Sequence, residues 1–108
     1  MGLLEILGEM LHDRGIVRVE QAAAAAGLGV RALQRLFATF VGVGPKAVLV
    51  RYRMHDAVAA LDDGDDDLAG LAASLGWYDQ AHFCRDFRAV VGSTPSAYQA
   101  RSRPGGRR

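Results

Sequence analysis

The side chains in this chain best placed to do chemistry are arginines and glutamines at helical spacing, and their chemistry is recognition. Within VRALQRLFATFV, residues 30–41, Leu33, Leu36, Phe37 and Phe40 fall on the inward side, and Arg31, Gln34, Arg35 and Ala38 lie on or beside the outer face. A guanidinium can pair with guanine, and a Gln amide with adenine, through two hydrogen bonds each. Within GWYDQAHFCRDFRAVVGSTP, residues 76–95, Phe83, Phe87, Val90 and Val91 make the inward stripe. Ala81, Arg85 and Arg88 form the opposite face, flanked by His82 and Cys84. A short helix with a basic outer face is what the major groove of duplex DNA admits. Lys46, Arg51 and Arg53, in the stretch between, suit either phosphate contacts or bracing of acids across the two lobes.

Catalytic and metal-binding chemistry finds no footing. His82 and Cys84 are two residues apart on a helix and point in different directions, so neither a zinc site nor a thiol–imidazole pair follows. His12 and His55 are isolated, as structural or solvated histidines are. The DDGDDD run at 62–67 lacks the ligand spacing and closing Glu of an EF-hand, and reads as a solvated loop. No catalytic residue, metal or cofactor is expected.

The elements that position these faces can be read in order. Leu3, Ile6, Leu7, Met10 and Leu11 form one stripe of a helix over 3–13, ended by Gly15. VEQAAAAA, residues 19–26, makes a small-residue helix that lets a neighbour approach closely, and Gly27 permits a sharp turn. PKAVLVRYRMHDAVAAL, residues 45–61, starts with Pro at a helix N-terminus. Its apolar positions Val48, Leu49, Tyr52, Met54, Ala57, Val58 and Leu61 cover more than one stripe, as in a helix that serves both halves. Asp67 is placed to cap the helix of DLAGLAASLG, Asp79 suits the start of the next, and Gly92 suits its left-handed stop. Residues 95–101 make a short closing helix in which Tyr98 packs, and RSRPGGRR is a flexible basic tail.

One supersecondary unit occurs twice. Ala23 and Gly27 match Ala72 and Gly76 at an offset of 49 residues. After one extra residue in the second turn, Leu33, Arg35, Phe37, Phe40, Gly42 and Pro45 match Phe83, Arg85, Phe87, Val90, Gly92 and Pro95 at an offset of 50.

Composition agrees with a small all-α protein. Of 108 residues, 50% are hydrophobic, and Ala outweighs β-branched types in most periodic stretches. The single Cys84 excludes an internal disulfide, as a reducing cytoplasm requires, and no run of 18 apolar residues or signal-peptide pattern suggests a membrane or secretion. Net charge is only +1, but Asp62, Asp63, Asp65, Asp66 and Asp67 hold five of the 12 acids. The rest of the chain sets 13 basic against seven acidic residues, a balance of +6.

LQRLF at 33–37, GVGP at 42–45, RMHDA at 53–57, LAASLGW at 71–77 and DQAHFCRDFRAVVGSTPSAY at 79–98 resemble the DNA-binding domain of the AraC/XylS family of bacterial transcription regulators. The resemblance runs from about residue 4 to 100. It implies seven helices forming two helix-turn-helix units joined by a long helix, which enter successive major-groove segments on one face of double-stranded DNA. It places the base-reading positions on Arg31, Gln34 and Arg35, and on Gln80, Ala81, His82, Cys84 and Arg85. Phosphate contacts are expected from Lys46, Arg51 and Arg88. Gly29 and Tyr78 stand where the family has a capping residue, so both recognition helices are expected to lack a side-chain cap.

The expected organisation is a first subdomain at 1–44, a linker helix at 45–62, a second subdomain at 63–101 and a tail at 102–108. The expected activity is that of a monomeric, cytoplasmic activator-type regulator acting through RNA polymerase, not an enzyme. The alternatives are a degenerate helical module that binds protein through its acidic loop and helix faces, and an enzyme fragment using Cys84.

Overall fold

In the computed structural model, residues 2–102 are described, and all their regular structure is helical. The helices are α1 (Leu3–His12), α2 (Val19–Ala26), α3 (Val30–Phe40), α4 (Pro45–Asp62), α5 (Leu68–Ser74), α6 (Gln80–Val91) and α7 (Pro95–Ser102). The expected all-α class and helix order are therefore found. Residues 103–108 of the expected basic tail lie outside the described residues. The chain divides into two compact units, Met1–Tyr52 and Arg53–Arg108, with the boundary inside α4.

The first unit is built on a mainly aliphatic core around one buried ring, Phe37. Ile6, Met10, Ile16, Ala22, Ala23, Leu33, Phe37 and Leu49 are buried together, with Leu3, Leu7, Val19, Val30, Leu36, Val48 and Tyr52 packed around them. Helix α1 packs on α2, and α2 on α3. The side chain of Gln21 reaches back over the start of α2, where its Oε1 accepts from the N–H groups of Val17 (2.8 Å) and Arg18 (3.0 Å). That satisfies donors which a helix start otherwise leaves orphaned.

The second unit has an aromatic core. Trp77 and Phe83 lie 4.8 Å apart, Phe83 and Phe87 5.8 Å, and Phe87 and Tyr98 5.8 Å, the last two edge to face. Such geometry aligns the positive ring edge with the negative face of its neighbour. Met54, Ala57, Leu61, Leu71, Ala72 and Leu75 complete the buried set. Helix α5 packs on α6, and α6 on α7. The buried Gln99 donates from Nε2 to the carbonyls of Leu61 (3.2 Å) and Asp65 (2.8 Å), and Tyr98 Oη donates to Asp62 (2.9 Å). These bonds tie α7 to the end of α4 and the acidic loop.

Several expectations are corrected. Phe40 and Val90 continue the inward stripes of the sequence but are 70% and 40% exposed. Both lie in the last turn of their helices, just before glycines with positive φ, Gly42 and Gly92, which turn the chain away. Helical periodicity assumes that neighbours extend as far as the helix does. Leu11 is 45% exposed because the buried stripe of α1 is narrower than its apolar stripe. Arg53 is buried, which removes it from the phosphate role, and the acid near it is Asp56 of the same helix, with Nε 3.8 Å from Oδ2.

Phe37→Ala and Phe87→Ala, at fully buried positions, are each expected to cost about 3–5 kcal/mol of unfolding free energy. Phe40→Ala and Val90→Ala, at the exposed equivalent positions, should stay within about 0.5 kcal/mol of the parent. Urea unfolding of the four variants checks both statements.

Candidate nucleic-acid interface

The interface begins with two turns of matching construction. After α2, Gly27 is left-handed at φ 71°, the Leu28 N–H reaches Ala23 O at 2.9 Å and the Gly27 N–H reaches Ala24 O at 3.1 Å. After α5, Gly76 has φ 95°, Trp77 N–H reaches Ala72 O at 2.9 Å and Gly76 N–H reaches Ala73 O at 3.2 Å. This paired bonding closes the helix C-terminus and fixes the direction in which the next helix leaves. The repeat read from sequence is thus matched residue for residue. Ala23 and Ala72, Leu33 and Phe83, Phe37 and Phe87, and Pro45 and Pro95 are all buried pairs.

The two helices that follow start differently. Helix α3 begins at Gly29, which is extended at φ −74° and offers no side-chain cap, as expected. Helix α6 is capped, contrary to expectation: Asp79, not Tyr78, is its N-cap, and its Oδ1 accepts from the His82 N–H at 2.8 Å. The extra residue in the second turn moves the cap position one place beyond Tyr78, which is left 86% exposed.

On α3 the structure leaves Arg31, Gln34 and Arg35 exposed, with the buried Leu33 and Phe37 anchoring the other face. On α6, Gln80, Ala81, Arg85 and Arg88 are exposed, His82 and Cys84 are half-buried, and Phe83 and Phe87 are buried. Lys46 and Arg51 are exposed on α4. Helix α3 thus exposes all three of its predicted residues, whereas α6 exposes Gln80, Ala81, Arg85 and Arg88 and leaves His82 and Cys84 half-buried. Arg88 also sits in the last turn of α6, where a cation suits the helix dipole.

Sequence reasoning missed one polar link in this region. Trp77 Nε1 donates to Asp86 Oδ2 at 2.8 Å, and the same oxygen lies 3.6 Å from His82 Nε2. An acid at 86, one helical turn beyond His82, was the available signal; its bond to a residue nine positions back in the chain was not.

Residues 22–101 match the family described as "Helix-turn-helix domain". The chain belongs to that family. Its type is AraC/XylS, as the motifs implied. This helix-turn-helix chain is 33% identical over 94 residues to "Transcriptional activator NphR" of a Rhodococcus species, covering 87% of this chain and 28% of that protein. It is 29% identical to the DNA-binding domain of AdpA, whose crystal structure is "in complex with a target DNA", with a TM-score of 0.78 over 96% of this chain and 97% of that one. An AraC-type regulator from Chromobacterium violaceum shares the fold at a TM-score of 0.75, with 20% identity over 95% of this chain and 96% of that one. The chain spans 28% to 33% of the length of the curated relatives NphR and "MmsAB operon regulatory protein" of Pseudomonas aeruginosa. Among the described residues no single helix is long and apolar enough to cross a membrane, and no cluster of His, Cys, Asp and Glu is arranged to hold a metal ion.

The unequal caps have a measurable consequence. Asp79→Ala should destabilise the protein by about 1 kcal/mol, whereas Gly29→Asp should gain only a few tenths, since Gly is itself a tolerated N-cap. Thermal unfolding of the two variants tests the difference.

Proposed function

We propose that this chain binds duplex DNA in a sequence-specific manner and serves transcription regulation, each unit presenting one helix to the major groove. The observation that carries this reading is the repeated pairing of a glycine-turned helix with an exposed basic face, Arg31, Gln34 and Arg35 on α3 and Gln80, Arg85 and Arg88 on α6. The AdpA domain, similar over nearly its whole length, supports it by being a DNA complex. In this reading Arg31, Gln34, Arg35, Gln80, Ala81, His82, Cys84 and Arg85 meet base edges, and Lys46, Arg51 and Arg88 meet phosphates. Helix α4 is the linker between a subdomain over 1–44 and one over 63–101. The chain works as a monomer in the cytoplasm and acts on transcription through RNA polymerase; all the relatives described above are regulators by name.

The two faces are unequal in reading capacity. All three of the base-reading positions in unit one, Arg31, Gln34 and Arg35, carry long polar side chains, whereas in unit two Ala81 and Cys84, beside Gln80, His82 and Arg85, are short and poorly suited to hydrogen-bonding bases. The first unit therefore supplies most of the sequence discrimination. Loss of a bidentate base contact costs about 1–3 kcal/mol and relaxes preference at its own base pair. Selection from a random duplex library should show Arg35→Ala and Gln34→Ala each flattening one or two positions, and Arg88→Ala weakening all sequences alike. Motifs intact in both α3 variants but erased in Arg85→Ala would reverse the assignment.

Affinity should also fall with salt, with a log–log slope of about −0.9 per phosphate neutralised. Lys46→Ala and Arg51→Ala are each expected to reduce that slope by about one unit. Slopes unchanged in both variants would remove these residues from the phosphate contacts.

A further inference from the structure

Trp77, Asp86 and His82 differ as a set from their counterparts in the first unit. The repeat aligns them with Leu28, Leu36 and Ala32, all apolar. Helix α3 packs on α2 with those apolar residues in place, so the helix-turn-helix fold does not require the polar set. In the second unit the set is connected. The indole of Trp77, 9% exposed and packed at a tilt against Phe83, donates to Asp86 Oδ2 at 2.8 Å, and that oxygen lies 3.6 Å from His82 Nε2. The His82 side chain keeps 38% of its surface open, and Asp86 keeps 29%.

The chemistry of the ring follows from what faces it. A carboxylate only accepts, and at 3.6 Å, beyond hydrogen-bond length, Asp86 favours the proton on the imidazole nitrogen nearer to it without bonding to it. In the neutral ring Nδ1 is then an acceptor, and it is the nitrogen left for a partner. Donors in the major groove are the exocyclic amino groups, adenine N6 and cytosine N4; phosphates and guanine offer only acceptors there.

We propose that Asp86, anchored by Trp77, is a positioning residue that holds the His82 imidazole with Nε2–H inward and Nδ1 ready to accept from an adenine or cytosine amino group. This rests on the reading of α6 as a base-contacting helix. It assigns the second unit a base-reading contact made by a side chain that is ambiguous in isolation and is given one polarity by its neighbours.

The test is selection of duplexes from a random library by the parent protein, His82→Ala, Asp86→Leu, the double variant and Arg85→Ala. Asp86→Leu restores the residue type that the first unit carries at Leu36, and thermal unfolding checks its fold. His82→Ala should flatten one base-pair position and weaken the preferred duplex about tenfold. Asp86→Leu should flatten the same position, and the double variant should lose no more than His82→Ala alone, because one residue acts through the other. The identity of the preferred base separates adenine from cytosine. In the free protein, imidazole nitrogen shifts should report the Nε2–H tautomer, and a tautomer mixture in Asp86→Leu. If Asp86→Leu does not fold, Trp77→Phe keeps a ring against Phe83 while removing the indole donor, and should blunt the same position. Additive losses, unchanged nitrogen shifts or a uniform loss across all sequences would each overturn the proposal. A motif that responds to Arg85→Ala but not to His82→Ala or Asp86→Leu would sink it alone. A parent protein that selects no motif would sink it together with the function proposed above.

Discussion

The left-handed glycine between paired helices is the constraint on which the rest of each unit depends. At Gly27 and Gly76 the backbone enters a region that costs an L-residue with a side chain roughly 1–2 kcal/mol. In return, two N–H groups close over the carbonyls of Ala23 and Ala24, or of Ala72 and Ala73. With the exit direction fixed, Leu33 or Phe83 falls into the core one turn later, and Phe37 or Phe87 one turn after that. The outer residues are then exposed by helical geometry alone. The surface proposed for DNA is thus specified indirectly, by a turn that is not part of it.

This explains why so much of the fold was legible in the sequence. Glycine at 27 and 76, the buried apolar pairs and Pro45 and Pro95 are local signals, and each dictates backbone geometry without help from distant residues. The readings that failed depended on what lies next to a helix. Phe40 and Val90 continue the inward stripe arithmetically, but the chain has turned at Gly42 and Gly92 before anything can cover them. The cap of α6 was misplaced by one residue, because the longer second turn shifts the start from Tyr78 to Asp79. Gln99, buried and bound to the carbonyls of Leu61 and Asp65, is invisible to periodicity because its partners are more than 30 residues away.

The two units reach stable cores by different routes. The first draws on α1, whose Ile6 and Met10 fill volume beside Leu33 and Phe37. The helix preceding α5 in the second is the latter part of α4, where the buried residues include the smaller Ala57. Larger rings stand elsewhere, with Phe83 and Tyr98 in place of Leu33 and Val48, and Trp77 is buried where the first unit has the exposed Leu28. Cores tolerate such exchange when total volume and patterning are kept. Duplicated units can therefore diverge inside without losing the turn, and diverge outside without disturbing the core.

Asp86 shows where those two kinds of divergence meet. A free carboxylate on a helix that approaches DNA is unfavourable, because it adds repulsion against phosphates. Here Trp77 Nε1–H engages it from the turn, and His82 lies against the same oxygen. The aromatic residue that replaces Leu28 fills core volume and brings the hydrogen-bond donor that the acid needs. An apolar residue at 77 would leave the carboxylate unsatisfied by the turn and the imidazole without a fixed neighbour. Tryptophan where the first unit has leucine thus gives the acid on α6 a bonded partner, and in the proposed reading that acid orients His82.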